Sequence, residues 1–383
     1  MAAATRKSFL YTFAAVLLVT SFFISMFSFS VAPVKLGSPD VLVGVDATFG
    51  AVEDMKTIID EVKSYTNFFV VGSTAMTNDL ANITQVGNYL HGSGLKFLTY
   101  AHPAQGLNFS QVQWLRDARQ QWNSSFMGLY AYDEPGGHQM DHDYAYMCAK
   151  EAANNSDAAA QYVGNLTAYL GGVTIGWEIG DFPVFTSDYA LYEYDYRAGY
   201  DVILAELAWN NSGPLNLALD RGAATVHNKE WGAMITGSYN DSRYTFTAQE
   251  MYDNMVLAYE NGAKYILVFD YPSLSAGILK QEHFDALKQF WQYAQTHPRT
   301  GNPGNGRVAF VLPKDYGYGF RGEADKIWGL WETDGSSAKI WNDANALVGL
   351  YGSKLDIIYE DTLQLNVTAY SRLIFWNGTE LTP

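Results

Sequence analysis

A chain of 383 residues, 48% hydrophobic and 15% aromatic, is long enough for one large barrel with a small unit appended to it. Its formal charge is −16, and the residues after position 34 carry −18 once Arg6 and Lys7, the only charged groups before them, are set aside. That acidity excludes a nucleic-acid partner, which needs basic patches to neutralise phosphates. Cys148 is the sole cysteine, so neither an intramolecular disulfide nor a cysteine metal cluster is available.

Residues 8–34 form an uncharged stretch rich in Leu, Val, Phe and Ala directly after the basic pair. It is long enough to span a bilayer as a helix, with the basic side inside. A secretory signal, with Ser30, Val31 and Ala32 before the cleavage point, fits the same flanks. The expectation is a single-pass cell-membrane anchor, or a secreted protein if the segment is cleaved, with the rest of the chain outside. Nine Asn-x-Ser/Thr acceptor sites, at Asn82, Asn108, Asn123, Asn154, Asn165, Asn210, Asn240, Asn366 and Asn377, agree with an exterior glycoprotein.

From residue 41, short β-branched or aromatic runs alternate with longer amphipathic ones. Strands are expected at 41–46, 67–73, 96–101, 126–133, 182–186, 201–207, 231–237 and 264–270. Helices are expected at 53–65, 80–92, 109–121, 141–169, 215–227, 247–261 and 281–296. Eight such alternations specify parallel pairing through crossover helices, and the fold class read from them is α/β, a (βα)8 TIM barrel over residues 38–298. The fifth unit is the least defined, because residues 165–179 could also hold its strand. Gly94, Gly199 and Gly262 sit at helix-to-strand turns, where a left-handed cap is expected. The run PRTGNPGNG marks a linker at 299–306, and residues 307–383 read as a small α/β module with strands at 307–312, 355–359 and 372–376 and a helix at 340–351.

In such a barrel the active site lies at the C-terminal strand ends. Those ends carry Asp46, Ser73, His102, the pair Asp133 and Glu134, Glu206 and Asp270, with Tyr239 and Asp241 beyond the seventh strand. Crowded carboxylates repel one another, which raises some of their pKa values and makes a proton donor near neutral pH. Glycoside cleavage needs two such groups, and the candidates are Glu134 with Glu206 or Asp270. Asp46, His102, Asp133, Tyr132, Trp209, Tyr239 and Tyr271 are the candidate sugar-binding residues, since sugars stack their C–H faces on aromatic rings. A helix cap remains an alternative for the acids at 133 and 134, and a turn residue for Asp270. No phosphate-binding glycine loop and no His-x-His pair is present, and His138, Asp141, His142 and Asp143 read as a solvated helix start. No cofactor or metal is expected.

Asp133-Glu134-Pro135 resembles the Asn-Glu-Pro signature of the large clan of (βα)8 glycoside hydrolases. The resemblance implies an acid/base role for Glu134 and places Asp133 where the clan has Asn. The clan's nucleophilic Glu belongs at the end of the seventh strand, where this chain reads WGAMITGSY. Glu206, Asp270 or Asp241 must then replace it, or the protein is a non-catalytic glycan-binding or cell-envelope protein. The tail is similar to the amidotransferase-like modules appended to some barrel galactosidases, but no cysteine follows Cys148 to serve as a nucleophile. A structural role is expected for it, with the loop KDYGYGFRG lent to the barrel mouth or to an oligomer contact.

Overall fold

The computed structural model describes residues 40–101, 109–173, 182–208, 211–237, 246–270, 278–299, 306–365 and 367–383. Residues 8–34, and with them the expected anchor or signal, lie outside the described residues. Among the described residues no helix is long and apolar enough to cross a membrane.

The strands are β1 (Leu42–Ala47), β2 (Phe68–Val71), β3 (Lys96–Ala101), β4 (Phe126–Ala131), β5 (Val184–Asp188), β6 (Val202–Leu207), β7 (Glu230–Ile235) and β8 (Tyr265–Asp270). They close in sequence order into a parallel barrel, β1 pairing with both β2 and β8. Closure brings backbones together at Gly44, where a Cβ would meet the carbonyl oxygen of Phe68 at 1.9 Å. Side chains alternate across each strand. One set, including Leu42, Phe68, Leu98, Tyr130, Phe185, Leu204 and Leu267, fills the lumen. The other set packs outward against the helices as the larger core.

In chain order the helices are α1 (Val52–Val62), α2 (Thr74–Thr77), α3 (Leu80–Gly92), α4 (Gln111–Trp122), α5 (Pro135–Met140), α6 (Asn155–Val173), α7 (Tyr192–Ala198), α8 (Gly213–His227), α9 (Ala248–Glu260), α10 (Gln281–Thr296) and α11 (Ser337–Tyr351). Gly94, Gly199 and Gly262 all take positive φ, of 75°, 122° and 98°. The helix expected over 141–169 is shorter, because residues 141–154 find other partners for their backbone. Ala149 exchanges two 2.8 Å hydrogen bonds with the Gln139 amide, the Cys148 carbonyl accepts from Asn165 and the Tyr146 carbonyl from Tyr132. Side chains that satisfy backbone groups in this way compete with helix formation. The short helix α7, absent from the sequence reading, is almost wholly buried and includes three tyrosines.

The module is a four-stranded sheet of β9 (Arg307–Leu312), β10 (Leu355–Tyr359), β11 (Tyr370–Phe375) and β12 (Glu380–Leu381), in the order β10-β9-β11-β12. The first three are parallel, and β12 returns antiparallel. The sheet docks on α8, where Gly222 lets the Ile357 backbone approach so closely that a Cβ would meet its oxygen at 2.3 Å. Beside it Asp356 binds Arg221 at 2.6 Å and Arg307 at 3.0 Å, with all three side chains buried. Trp328, fully buried, packs on Tyr194 and Tyr162 at ring distances of 4.5 and 5.7 Å, and its carbonyl accepts from Gln139 at 2.8 Å. The segment that leads away from β9 is thereby anchored beside α5.

Candidate active site

Strand parity decides which acids reach the mouth of the lumen. On β1, β5 and β6 the lumen-facing residues are Leu42, Phe185, Val202 and Leu204, and continuing each alternation brings Asp46, Ser187 and Glu206 inward at the C-terminal ends. On β8 the lumen residues are Tyr265 and Leu267, so Asp270 faces outward. There its Oδ1 accepts from the backbone N–H groups of Ile278 and Leu279 at 3.1 and 3.0 Å. The candidate partner Asp270 is thus placed as an anchor for the chain entering α10.

After β4 the backbone turns sharply, with Tyr132 at φ 55° and Glu134 at φ 51°. Left-handed geometry is costly for such side chains, and the surroundings must enforce it. Asp188, fully buried at the end of β5, accepts from the N–H groups of Gly136 at 2.5 Å and Gly137 at 2.8 Å and thereby caps α5. Neither glycine has room for a side chain, since a Cβ at 136 would lie 2.4 Å from the Ala190 oxygen and one at 137 would lie 2.2 Å from the Tyr189 ring. Glu134 stands at the N-cap position yet makes no side-chain cap bond. Asp188 performs the capping expected of the acids at 133 and 134, which leaves the Glu134 carboxyl free for other contacts.

Its neighbour at the mouth is Glu206, whose ionisation the charge of Glu134 opposes. Glu206 Oε1 accepts from Ser187 at 2.5 Å, while its buried Oε2 meets no hydrogen-bond partner among the described residues. Burial, and then the adjacent charge of Asp133, pushes Glu134 up to about 8; burial and the charge of Glu134 raise Glu206 well above the carboxylate range. Asp133 differs. It is exposed to the mouth, and its Oδ1 accepts from Tyr130, a lumen residue, with the Ser187 hydroxyl 3.3 Å away. Desolvation raises it, and the Tyr130 bond, which favours the charged form, offsets only part of that rise. Asp46, 3% exposed, is raised by burial and by the nearby charge of Asp133.

Two cavities open on this turn. One, of about 800 Å³, is lined by Asp133 together with Tyr100, Tyr132, Tyr146, Tyr169 and Cys148. Burial pushes the Cys148 thiol up to about 12, so it is not a nucleophile at neutral pH. The other, of about 600 Å³, is lined by Glu134, Asp141 and Tyr189 from the barrel and by Arg321, Ala324 and Asp325 from the module. The loop KDYGYGFRG does reach the mouth. Arg321 forms paired bonds to Asp325 at 2.8 and 3.0 Å, binds Asp141 and lies 5.9 Å from the Tyr189 ring centre.

Of the residues singled out in the sequence, the structure brings Asp46, Tyr132, Asp133, Glu134 and Glu206 to one mouth. His102, Trp209, Tyr239 and Tyr271 lie outside the described residues, as does Asp241. Ser187, Asp188, Tyr130 and Arg321 were not anticipated. The first two were hidden by placing the fifth strand at 182–186, two residues short of its end at Asp188. Among the described residues no group of three or more His, Cys, Asp or Glu side chains is arranged to hold a metal ion.

The eight-stranded parallel barrel with its appended four-stranded sheet is a (βα)8 fold. Among solved structures the chain is similar to a GH5_18 protein from Streptomyces cattleya in complex with GlcNAc, at 9% identity and a TM-score of 0.57, covering 89% of this chain and 100% of that one. It is also similar to the endo-beta-1,4-mannanase from Thermotoga petrophila, at 7% identity over 72% of this chain and 82% of that one, with a TM-score of 0.42. The GH99 endo-alpha-mannosidase from Bacteroides thetaiotaomicron matches at 14% identity over 65% and 81%, with a TM-score of 0.42. At these identities the likeness is one of fold. No protein-family model matches the sequence, and no curated protein matches it.

Proposed function

We propose that the protein hydrolyses O-glycosidic bonds outside the cell, with Glu134 as the proton donor. The observation that carries this reading is the Glu134 carboxyl lining an accessible cavity at the barrel mouth, where burial and the charge of Asp133 push it up to about 8 and so keep it protonated at neutral pH. Glu206 is 2% exposed and its Oε1 is held by Ser187, so it is screened from a ligand in the cavity. Glu206 therefore serves to hold the proton on Glu134, and the exposed, hydroxyl-bonded Asp133 is the carboxylate that faces the developing positive charge at the anomeric carbon. The extracytoplasmic location rests on the basic pair followed by the uncharged stretch at residues 8–34.

Release of reducing ends from a panel of β-gluco-, β-manno- and N-acetylglucosamine-containing oligosaccharides tests the activity. Wild-type protein releases them, and the absence of turnover across the panel returns the protein to the glycan-binding alternative. Replacement of Glu206 by Gln separates the two roles open to that residue. Glutamine cannot become anionic and so no longer opposes the ionisation of Glu134 by charge, and the alkaline limb of the pH profile moves down while turnover persists. A nucleophile would instead lose turnover at every pH.

Asp188 is a positioning residue in this scheme. Asp188→Asn keeps one oxygen acceptor but turns an amide N–H₂ toward the N–H groups that the second oxygen held. A shift of the turn of even a fraction of an ångström is expected to lower kcat by about a hundredfold with KM nearly unchanged. A purely structural aspartate would move the unfolding midpoint and leave the kcat of the folded fraction as it was.

A further inference from the structure

We infer that the ligand is a chain of at least two sugar units that crosses the Asp133-Glu134 turn, with one end in the tyrosine-walled cavity and the other in a cavity that the C-terminal module completes. The inference rests on the reading of these two acids as the sugar-contacting pair. It goes beyond that reading in assigning a binding role to the module and a minimum length to the ligand.

The two side chains of one tight turn line different cavities, Asp133 the larger and Glu134 the smaller. A group bound at the turn therefore has room to continue in two directions. The walls suit carbohydrate at both ends but by different chemistry. In the larger cavity the Tyr132 and Tyr169 rings meet edge to face at 4.7 Å, and His138 stacks on Tyr146 at 4.9 Å, an arrangement that offers flat apolar faces to sugar C–H groups. In the smaller cavity the wall is a planar array of charges. Arg321 is held between Asp325 and Asp141, and Asp141 also accepts from Tyr189 at 2.6 Å. With one cation against the carboxylates of Asp141 and Asp325, this wall disfavours an anionic ligand and matches neutral hydroxyl groups, which both donate and accept.

The module's part is not incidental. The Arg321 loop is fixed to the barrel by Trp328, buried against Tyr162 and Tyr194, and by the contact of Gly329 with α5, where a Cβ would lie 2.0 Å from the Gln139 oxygen. A wall held this firmly is pre-organised for binding.

Ala145 and Ala324 line the two cavities, are exposed, and have side chains that support no hydrogen bond. Tryptophan at either position fills its cavity without removing a contact. In a Glu134→Gln background, titration calorimetry with mannotetraose, cellotetraose and chitotetraose, each beside its monosaccharide, measures the benefit of length. At least one tetraose is expected to bind ten or more times more tightly than its monosaccharide, and Ala145→Trp and Ala324→Trp are each expected to remove most of that gain. Equal affinity for monosaccharide and tetraose overturns the inference, as does tetraose binding that neither tryptophan weakens, or no binding by any of the three. Tetraose binding with both plugs effective, but without turnover by the wild type, defeats the hydrolase reading and leaves this inference standing.

Discussion

Replacement of Glu134 by Gln lowers turnover by about a thousandfold or more while sugar binding persists, within the range expected when a general acid is removed. The amide fits the same space but holds no proton that it can transfer. The wild-type pH profile carries the complementary sign. A folded-state value pushed up to about 8 keeps Glu134 protonated at neutrality, so the rate falls as pH rises through that region. The same shift acts on stability. Glu134, Glu206 and Asp46 are all raised in the folded protein, so the unfolded chain loses their protons first. Their contribution is fully present below about pH 4 and is lost progressively as pH rises toward the folded values. A protein that resists urea better at pH 5 than at pH 8 is the expected result. A midpoint that rises with pH would contradict it.

Asp356→Ala is expected to destabilise the protein by about 3–5 kcal/mol, the cost typical of removing one partner from a buried charge pair. The expectation follows from what stays behind. Arg221 is 1% exposed and Arg307 little more, and without Asp356 each keeps a charge in a low-dielectric seam between α8 and the module sheet. Arg221 retains its bond to the Asn261 side chain at 2.7 Å and its bond to the Leu355 carbonyl, but neither supplies a negative charge. Equilibrium unfolding in urea measures the loss. A change below about 1 kcal/mol would mean that water enters the seam and hydrates both guanidinium groups.

The barrel was legible because strand and helix periods alternate cleanly along most of the chain. The ends of β3, the span of α3 and the span of α10 fall where the apolar runs place them. Legibility failed where backbone groups are satisfied by distant side chains. Residues 141–154 carry a helical pattern but are held by Gln139, Asn165 and Tyr132, and no local window contains those partners. The site was half visible for a related reason. Acids at strand ends can be read from sequence, and strand parity would already have separated Glu206 and Asp46 from Asp270. That Asp188 caps the turn, or that Arg321 closes one cavity, depends on neighbours 52 and 180 positions away in the chain.

The Gln139 amide also bears on the order of assembly. Its nitrogen donates to Ala149 and to Trp328, the second of these across 189 residues of sequence. Contacts of such separation form late, because a long loop must close before they gain anything. During synthesis, Asp188 and Ala149 can hold the helix that follows Glu134 as soon as they emerge, but its bond to Trp328 has to wait for most of the chain. The barrel can close around its lumen earlier, and the turn that carries Glu134 receives its last fastening afterwards.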